Sequence, residues 1–357
     1  MGRHLGLDDV HRFRAAADPR LSPDGRRVAF VISTPDEQQD RDVSHVWVVP
    51  TEGGEPAQWT HGESGETSPR WSPDGRRLAF LARRGEPAAP QIWVMDAAGG
   101  EARRLTNQVG GVLDLAWSPT GDRIAYVALV RPPAEEPAAQ ARPVVVRRLH
   151  FKMDGSGLVG EARTHLFVAG LDGTEPRQLT DGDFSASGLA WSPDGTEIAF
   201  VSAMHEDRDL DLASHVFAVP ASGGEPRRIT DGPGGAAAPA WSPDGRQIVF
   251  IGRREAADSM PSLYAVDAAG TTPARDLLPD FDRTVMAGAP GYPGGPPQLG
   301  ADGGAVVFCA RERGCVHVHR LRLVDGHVEP LVTGDDRVVS GLTAAGGLVA
   351  CLCATPE

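Results

Sequence analysis

Lysine is almost missing from this sequence: of 35 basic residues only Lys152 is a lysine. The remaining basic charge is arginine, alongside abundant Ala, Gly and Pro, so the bias follows the composition of the whole chain and not a binding need. Basic charge is also in deficit, with 48 acidic residues and a formal net charge of −13. Nucleic-acid phosphate would be repelled, and no basic cluster interleaved with aromatics offsets this. Cysteine is scarce too: Cys309, Cys315, Cys351 and Cys353 are the only four, all in the last fifty residues. A disulfide framework would spread them along the chain, so reduced thiols are expected. No apolar run is long enough for a membrane-spanning helix. The opening Met1-Gly2-Arg3-His4-Leu5-Gly6 lacks the apolar stretch of a secretory signal, and Gly6 stands where a myristoylation signal wants Ser or Thr. The expectation is a cytoplasmic protein with no membrane partner.

Long helices are excluded as well. About one residue in five is Gly or Pro, with 43 and 30 copies, which rules out coiled coils. The glycines follow no three-residue period, so collagen is excluded, and 41% hydrophobic residues argue against global disorder.

What is present is a repeat. Leu21-Ser22-Pro23-Asp24-Gly25-Arg26-Arg27-Val28-Ala29-Phe30 recurs from Trp71 to Phe80, from Trp117 to Tyr126 (with Thr120 for Asp), from Trp191 to Phe200 and from Trp241 to Phe250. Weaker copies start at Leu299 and Leu342. Pro-Asp-Gly supplies a fixed φ, a side chain that bonds the backbone and a residue tolerant of positive φ, so each copy reads as a hairpin turn before a short apolar strand. A second strand pair follows roughly fifteen residues later, as in Val46-Trp47-Val48-Val49 running through Gly53-Gly54 to Trp59-Thr60. Four short strands per unit at about 50-residue spacing are propeller blades, whereas parallel β-helices use shorter coils. The expected fold is all-β: a β-propeller of four-stranded blades, seven-bladed type with the seventh blade incomplete. Residues 1–20 form a lead-in with a short helix, 21–338 six complete blades, and 339–357 the first half of a seventh. The Pro-rich Arg131–Pro137 stretch reads as an exposed excursion lengthening the third blade.

The Ser-Pro-Asp-Gly-x-x-apolar-Ala-Phe motif, closed by a Leu-Thr strand, resembles the PD40 repeat. That repeat is found in TolB-type propellers and in the propeller domain of prolyl oligopeptidase family serine peptidases. The opening Leu7-Asp8-Asp9-Val10 through Gly25 resembles the lead-in of acylaminoacyl-peptidase-type members. Arg142 through Gly155 resembles their long strand before the third-blade hairpin. The resemblance implies a non-catalytic propeller that caps a C-terminal α/β-hydrolase domain, gates its access to short peptides and contributes to substrate recognition. No serine here sits in Gly-x-Ser-x-Gly, the strained turn such a nucleophile needs, so the chain alone is expected to be inactive. The hydrolase domain is expected to be absent from this chain, or supplied on another one. A stand-alone TolB-like propeller mediating protein–protein binding is the alternative. Two missing strands would leave an unpaired sheet edge, so residues after about Val339 are expected to be less ordered or to drive self-association.

Few residues suggest chemistry. Arg147, Arg148 and Lys152 form the one dense basic run. Strand alternation would place Arg148 and Lys152 on one face and Arg147 on the other, as an anchor for a peptide carboxylate or as a solvated edge. Cys315, His317 and His319 share a strand face, but a second ligand cluster is missing, so a packed face is expected and no metal or other cofactor. Cys351 and Cys353 are too far apart along one strand to pair. Asp207, Asp209 and Asp211 open like a calcium loop, yet Leu212 and Ala218 replace its required Gly and Glu. His45, His165 and His215 precede the same strand in three blades and read as structural. Trp71, Trp117, Trp191 and Trp241 recur before Ser-Pro and read as packing between sheets.

Overall fold

Each Ser-Pro-Asp-Gly turn is closed by its own side chains. Ser22 Oγ donates to Asp24 Oδ1 at 2.6 Å and accepts the Arg27 amide at 2.9 Å, while Gly25 turns at φ +71°. The same pair of bonds holds the turns at Ser72, Ser192 and Ser242. Where Thr120 replaces Asp, Ser118 Oγ bonds Asp122 Oδ1 at 2.9 Å instead. Satisfying these donors locally fixes the hairpin without help from distant residues.

The computed structural model describes residues 6–38, 40–131, 146, 148–153, 157–232, 234–255, 259–289 and 292–355. A 3-10 helix covers Leu7–Arg12, the expected short helix. Among the described residues twenty-nine strands follow. The first sheet is β1 (Ala15–Leu21), β2 (Arg27–Asp36), β3 (Arg41–Pro50) and β4 (Ala57–Gln58), paired in that order. β5 (Glu66–Trp71), β6 (Arg77–Ala82), β7 (Gln91–Asp96) and β8 (Arg103–Arg104) make the second. In the third, β9 (Val112–Trp117) and β10 (Arg123–Val130) are separated in sequence from β13 (Arg163–Gly170) and β14 (Arg177–Gln178) by a small hairpin, β11 (Lys152–Met153) with β12 (Gly157–Leu158). The fourth comprises β15 (Ala186–Trp191), β16 (Glu197–Ser202), β17 (His215–Pro220) and β18 (Arg227–Arg228). The fifth comprises β19 (Ala236–Trp241), β20 (Gln247–Gly252), β21 (Ser262–Asp267) and β22 (Arg275–Asp276). All pairings in these five sheets are antiparallel, the architecture of a β-propeller.

The last sheet is larger. β23 (Thr284–Val285), β24 (Gln298–Leu299), β25 (Ala305–Glu312), β26 (Cys315–Arg322) and β27 (Val328–Val332) are joined by the hairpin β28 (Val338–Ala345) and β29 (Leu348–Ala354). The hairpin joins the ladder of this sheet through one parallel pair, Val316 with Val338, and packs Val339 and Leu342 against it. Its other side meets the first sheet: Thr343 Oγ1 accepts the Leu21 amide at 3.3 Å, and Gly25 lies against Gly346. In the other sheets the equivalent glycine abuts the proline of the preceding turn, as Gly75 does Pro23 and Gly121 does Pro73. The hairpin therefore stands between the last sheet and the first.

Two recurrent devices explain the rest of the repeat. The threonine that ends each Leu-Thr or Ile-Thr step turns its hydroxyl inward. Thr106, Thr180 and Thr230 accept the amides of Ile92, Leu166 and Val216 at 2.9–3.0 Å. The tryptophans tie neighbouring sheets together. Trp71, Trp117, Trp191 and Trp241 donate their indole N–H to the carbonyls of Arg20, Arg70, Ala116 and Ala190, each in the preceding sheet.

Two expectations need correcting. The segment 1–20 is not all lead-in, because Ala15–Arg20 already belongs to β1: the turn at Ser22 separates the first two strands and does not precede the first. Of the stretch expected as a long strand before the third-blade hairpin, residues 142–145, 147, 154 and 155 lie outside the described residues, and 148–151 are not strand. Arg148 lies in a bend, and only Lys152–Met153 is strand, because it folds back locally on Gly157–Leu158.

Candidate functional site: the axial cavity

The first strand of each of the five complete sheets contains a bulge. Register slips between Ala17 and Arg20, Thr67 and Arg70, Ser187 and Ala190, and Ala237 and Ala240. Asp18, Ser68, Gly188 and Ala238 take positive φ there, between +48° and +60°. In the third sheet the slip falls opposite Val127 and Ala128. A bulge re-aims the side chains around it. Here they line one cavity of about 890 Å³ on which the first strands converge.

The cavity wall is lopsided. The first three sheets contribute Asp18, Arg20, Arg70 and Asp114, while the fourth and fifth contribute Gly188, Leu189, Ala237, Ala238 and Pro239. Arg70 links the charged group across sheets: its Nη1 bonds Asp18 Oδ2 at 2.8 Å, and its Nη2 lies 3.7 Å from Asp114 Oδ1. Arg20 Nη2 reaches Asp18 Oδ1 at 2.6 Å, and its Nε is buried without a partner among the described residues. Burial and the Arg70 charge bring the Arg20 guanidinium down to about 10. Burial works to raise the Asp18 carboxyl, but Arg70 and Arg20 together hold it below its ordinary value. Asp114 goes the other way, raised by burial that Arg70 only partly offsets. Two guanidiniums and two carboxylates thus share a partly buried wall, unevenly paired.

The basic run that drew attention in the sequence is placed elsewhere. Arg148 pairs with Asp183 and stands 3.6 Å from Asp209. Asp183 also receives Arg163 at 2.9 Å and Arg208 at 3.1 Å. Arg148 and exposed Lys152 do line a common cavity of about 630 Å³, but not as one strand face. Arg147 lies outside the described residues. Cys315, His317 and His319 are buried on β26: Cys315 Sγ bonds the Asp335 carbonyl at 3.1 Å, His317 Nε2 donates to the Gly334 carbonyl at 2.9 Å, and His319 stacks on Phe308. Asp211 bonds His205 Nε2 at 2.8 Å, and Asp209 faces Arg148.

Sequence reasoning missed the axial charges. A signal was present: two residues before the serine of each turn stand Arg20, Arg70, Ala116, Ala190 and Ala240. Comparing that column across the repeats isolates the two arginines.

Two family models, each over about a third of the chain, and several known proteins are similar to it. The model described as "TolB beta propeller domain" matches residues 9–132. That described as "Acylaminoacyl-peptidase, N-terminal beta-propeller domain" matches 133–263. An uncharacterized peptidase of Bacillus subtilis, YuxL, is 32% identical over 216 residues, 58% of this chain and 33% of its own. Acylaminoacyl peptidase of Pyrococcus horikoshii superposes with a TM-score of 0.69 at 21% identity, covering 94% of this chain and 48% of that one. The β-propeller domain of the Trilobed protease of Pyrococcus furiosus, described as having an open velcro topology, gives 0.66 at 18% identity, with 96% and 92% covered. The chain thus spans a third of the curated relative and about half of the solved peptidase. Among the described residues no helix is long and apolar enough to cross a membrane.

Proposed function

We propose that this chain, a propeller domain of the acylaminoacyl-peptidase-like proteins, is the gating and substrate-recognition half of a serine peptidase, restricting short peptides on their way to an α/β-hydrolase domain outside these 357 residues. One observation carries the reading. Residues 133–263 match the N-terminal propeller model of that family, and the chain superposes on about half of a solved acylaminoacyl peptidase. The cavity of about 890 Å³ on which the first strands converge is of the size that takes a small ligand or a short peptide segment. The protein works as a cytoplasmic one on this reading. Mixing it with purified hydrolase domains of the family is expected to make cleavage of N-acyl peptides size-selective, short ones cut and long ones spared. Unchanged rates for both lengths would refute the gating role.

The TolB-like alternative, a propeller that binds another protein, draws its support from the match over residues 9–132. The mixing assay separates the two, since a pure binding module leaves hydrolysis unaltered.

Within this reading the fold is a seven-bladed propeller, and the β28–β29 hairpin is the first half of its seventh blade. The hairpin occupies the gap between the last sheet and the first, and β29 is its outer edge strand. Leu348 and Val349 at its start are 47% and 38% exposed. An apolar edge with free backbone groups invites pairing with another strand. For the isolated 357-residue chain, sedimentation equilibrium is expected to show concentration-dependent dimers, weakened by a Val349→Lys substitution. A monodisperse monomer across the concentration range would remove this proposal.

A further inference from the structure

We propose that Arg20 and Arg70 form a carboxylate-binding site in the wall of the axial cavity, and that its occupant is the free C-terminus of a peptide. The first argument is the repeat column these residues share. Its role in the fold belongs to the backbone: the carbonyls of Arg20, Arg70, Ala116 and Ala190 each accept an indole N–H from the next sheet. Alanine performs that role in two of the four. The two guanidiniums are surplus to it, and they stand side by side on adjacent sheets.

The second argument is the count of donors. A guanidinium offers five N–H groups in a fixed fork. Arg70 spends Nη1 on Asp18 and on the Pro69 carbonyl, both at 2.8 Å, while the 3.7 Å from its Nη2 to Asp114 is too long for a hydrogen bond. Arg20 holds Asp18 through Nη2 alone, and its Nε is buried without a partner among the described residues. Buried donors left unpaired are costly, and a carboxylate is the group whose two oxygens match such a fork.

The third argument selects the source of the carboxylate. Asp114 stands beside Arg70 as an acceptor, its Oδ1 bonded at 2.9 Å only to its neighbour's amide, that of Leu115. A peptide C-terminus brings both halves of the match, a carboxylate for the arginines and an amide N–H for Asp114. A simple carboxylate brings only the first. Across the cavity, Gly188, Ala237 and Ala238 leave room for the residues that precede the bound carboxylate. The choice of a peptide rests on the function proposed above, whereas the arginine site rests on the cavity alone.

Isothermal titration of the intact chain with N-acetyl-trialanine as the free acid, with its C-terminal amide and with acetate tests both parts. The free acid is expected to bind with a Kd on the order of 1 mM. The amide should bind about tenfold or more weakly, as loss of a charged hydrogen-bond partner implies. Arg20→Gln should erase the difference between acid and amide, while Arg322→Gln, on a surface pair with Asp325, should preserve it. Equal binding of acid and amide by the unaltered chain overturns the site, whatever the variants do. So does a difference that survives in folded Arg20→Gln protein. Acetate binding as tightly as the peptide acid keeps the arginine site and overturns its peptide occupant, a result separate from failure of the hydrolase-mixing assay.

Discussion

Replacing Leu342 by alanine is expected to cost about 2–5 kcal/mol, a large share of the roughly 5–15 kcal/mol that holds a typical domain folded. Leu342 is 1% exposed and packs with Val339, Cys309, Val316 and Val318 in a cluster shared by the hairpin and the last sheet. The neighbouring backbone cannot close over the lost side chain. Gly341 turns at φ +67° with Pro19 pressed against it, and its amide bonds the Gly294 carbonyl at 2.7 Å. Because the same hairpin meets β1, a cavity there loosens the junction of first and last sheets together. Leu348→Ala, on the exposed start of β29, should shift stability by no more than about 0.5 kcal/mol. Denaturant titration of both variants decides the matter. Equal small shifts would mean that the hairpin contributes nothing to closure.

That contrast also marks what can be read from residues in order. The turn serines, the aspartates and the period of about fifty residues announce hairpins, since every bond in the Ser-Pro-Asp-Gly turn lies within five residues. The threonines and tryptophans are visible as repeats, but their bonds reach further: Trp191 meets a carbonyl 75 positions away. Packing was legible there, and the acceptor was not. The axial site was hidden for another reason. Alternation along a strand assigns faces only while the register holds, and the bulge at Asp18 breaks it where the charged residues begin. The Arg147–Lys152 run misled because isolation in sequence is not isolation in space. Its counterion Asp183 lies 35 residues on, in the loop before the fourth sheet.

Removing the guanidinium of Arg84 is expected to be strongly destabilising, and its damage should depend on pH. Glu66 opens β5 with no exposed surface, at a column filled by Val112, Ala186 and Ala236 in later sheets. Its carboxylate is held by Arg84, by His45 Nδ1 at 2.9 Å and by the Gly62 amide at 2.9 Å. Burial works to raise this carboxyl, but Arg84 and His45 keep it below its ordinary 4.5. In the intact chain Glu66 therefore adds stability above that ordinary value, and the contribution is lost as pH falls through the lowered one. Arg84→Ala shifts this balance. Without Arg84 the raising effect of burial is less fully offset, the carboxyl moves up, and a buried charge is left poorly compensated at neutral pH. The loss should be about 3–5 kcal/mol at pH 7, nearer the lower figure because His45 remains, and should shrink as Glu66 takes up a proton in mild acid. Adding Glu66→Gln to Arg84→Ala should restore much of the stability at pH 7, since the unpaired charge is gone. Melting curves of the single and double variants at pH 7 and pH 5 test this. If the double variant is no more stable than Arg84→Ala, the arginine acts through its packing over Phe80 and Trp93, 5.6 and 5.1 Å from their ring centres, and not through the charge it neutralises.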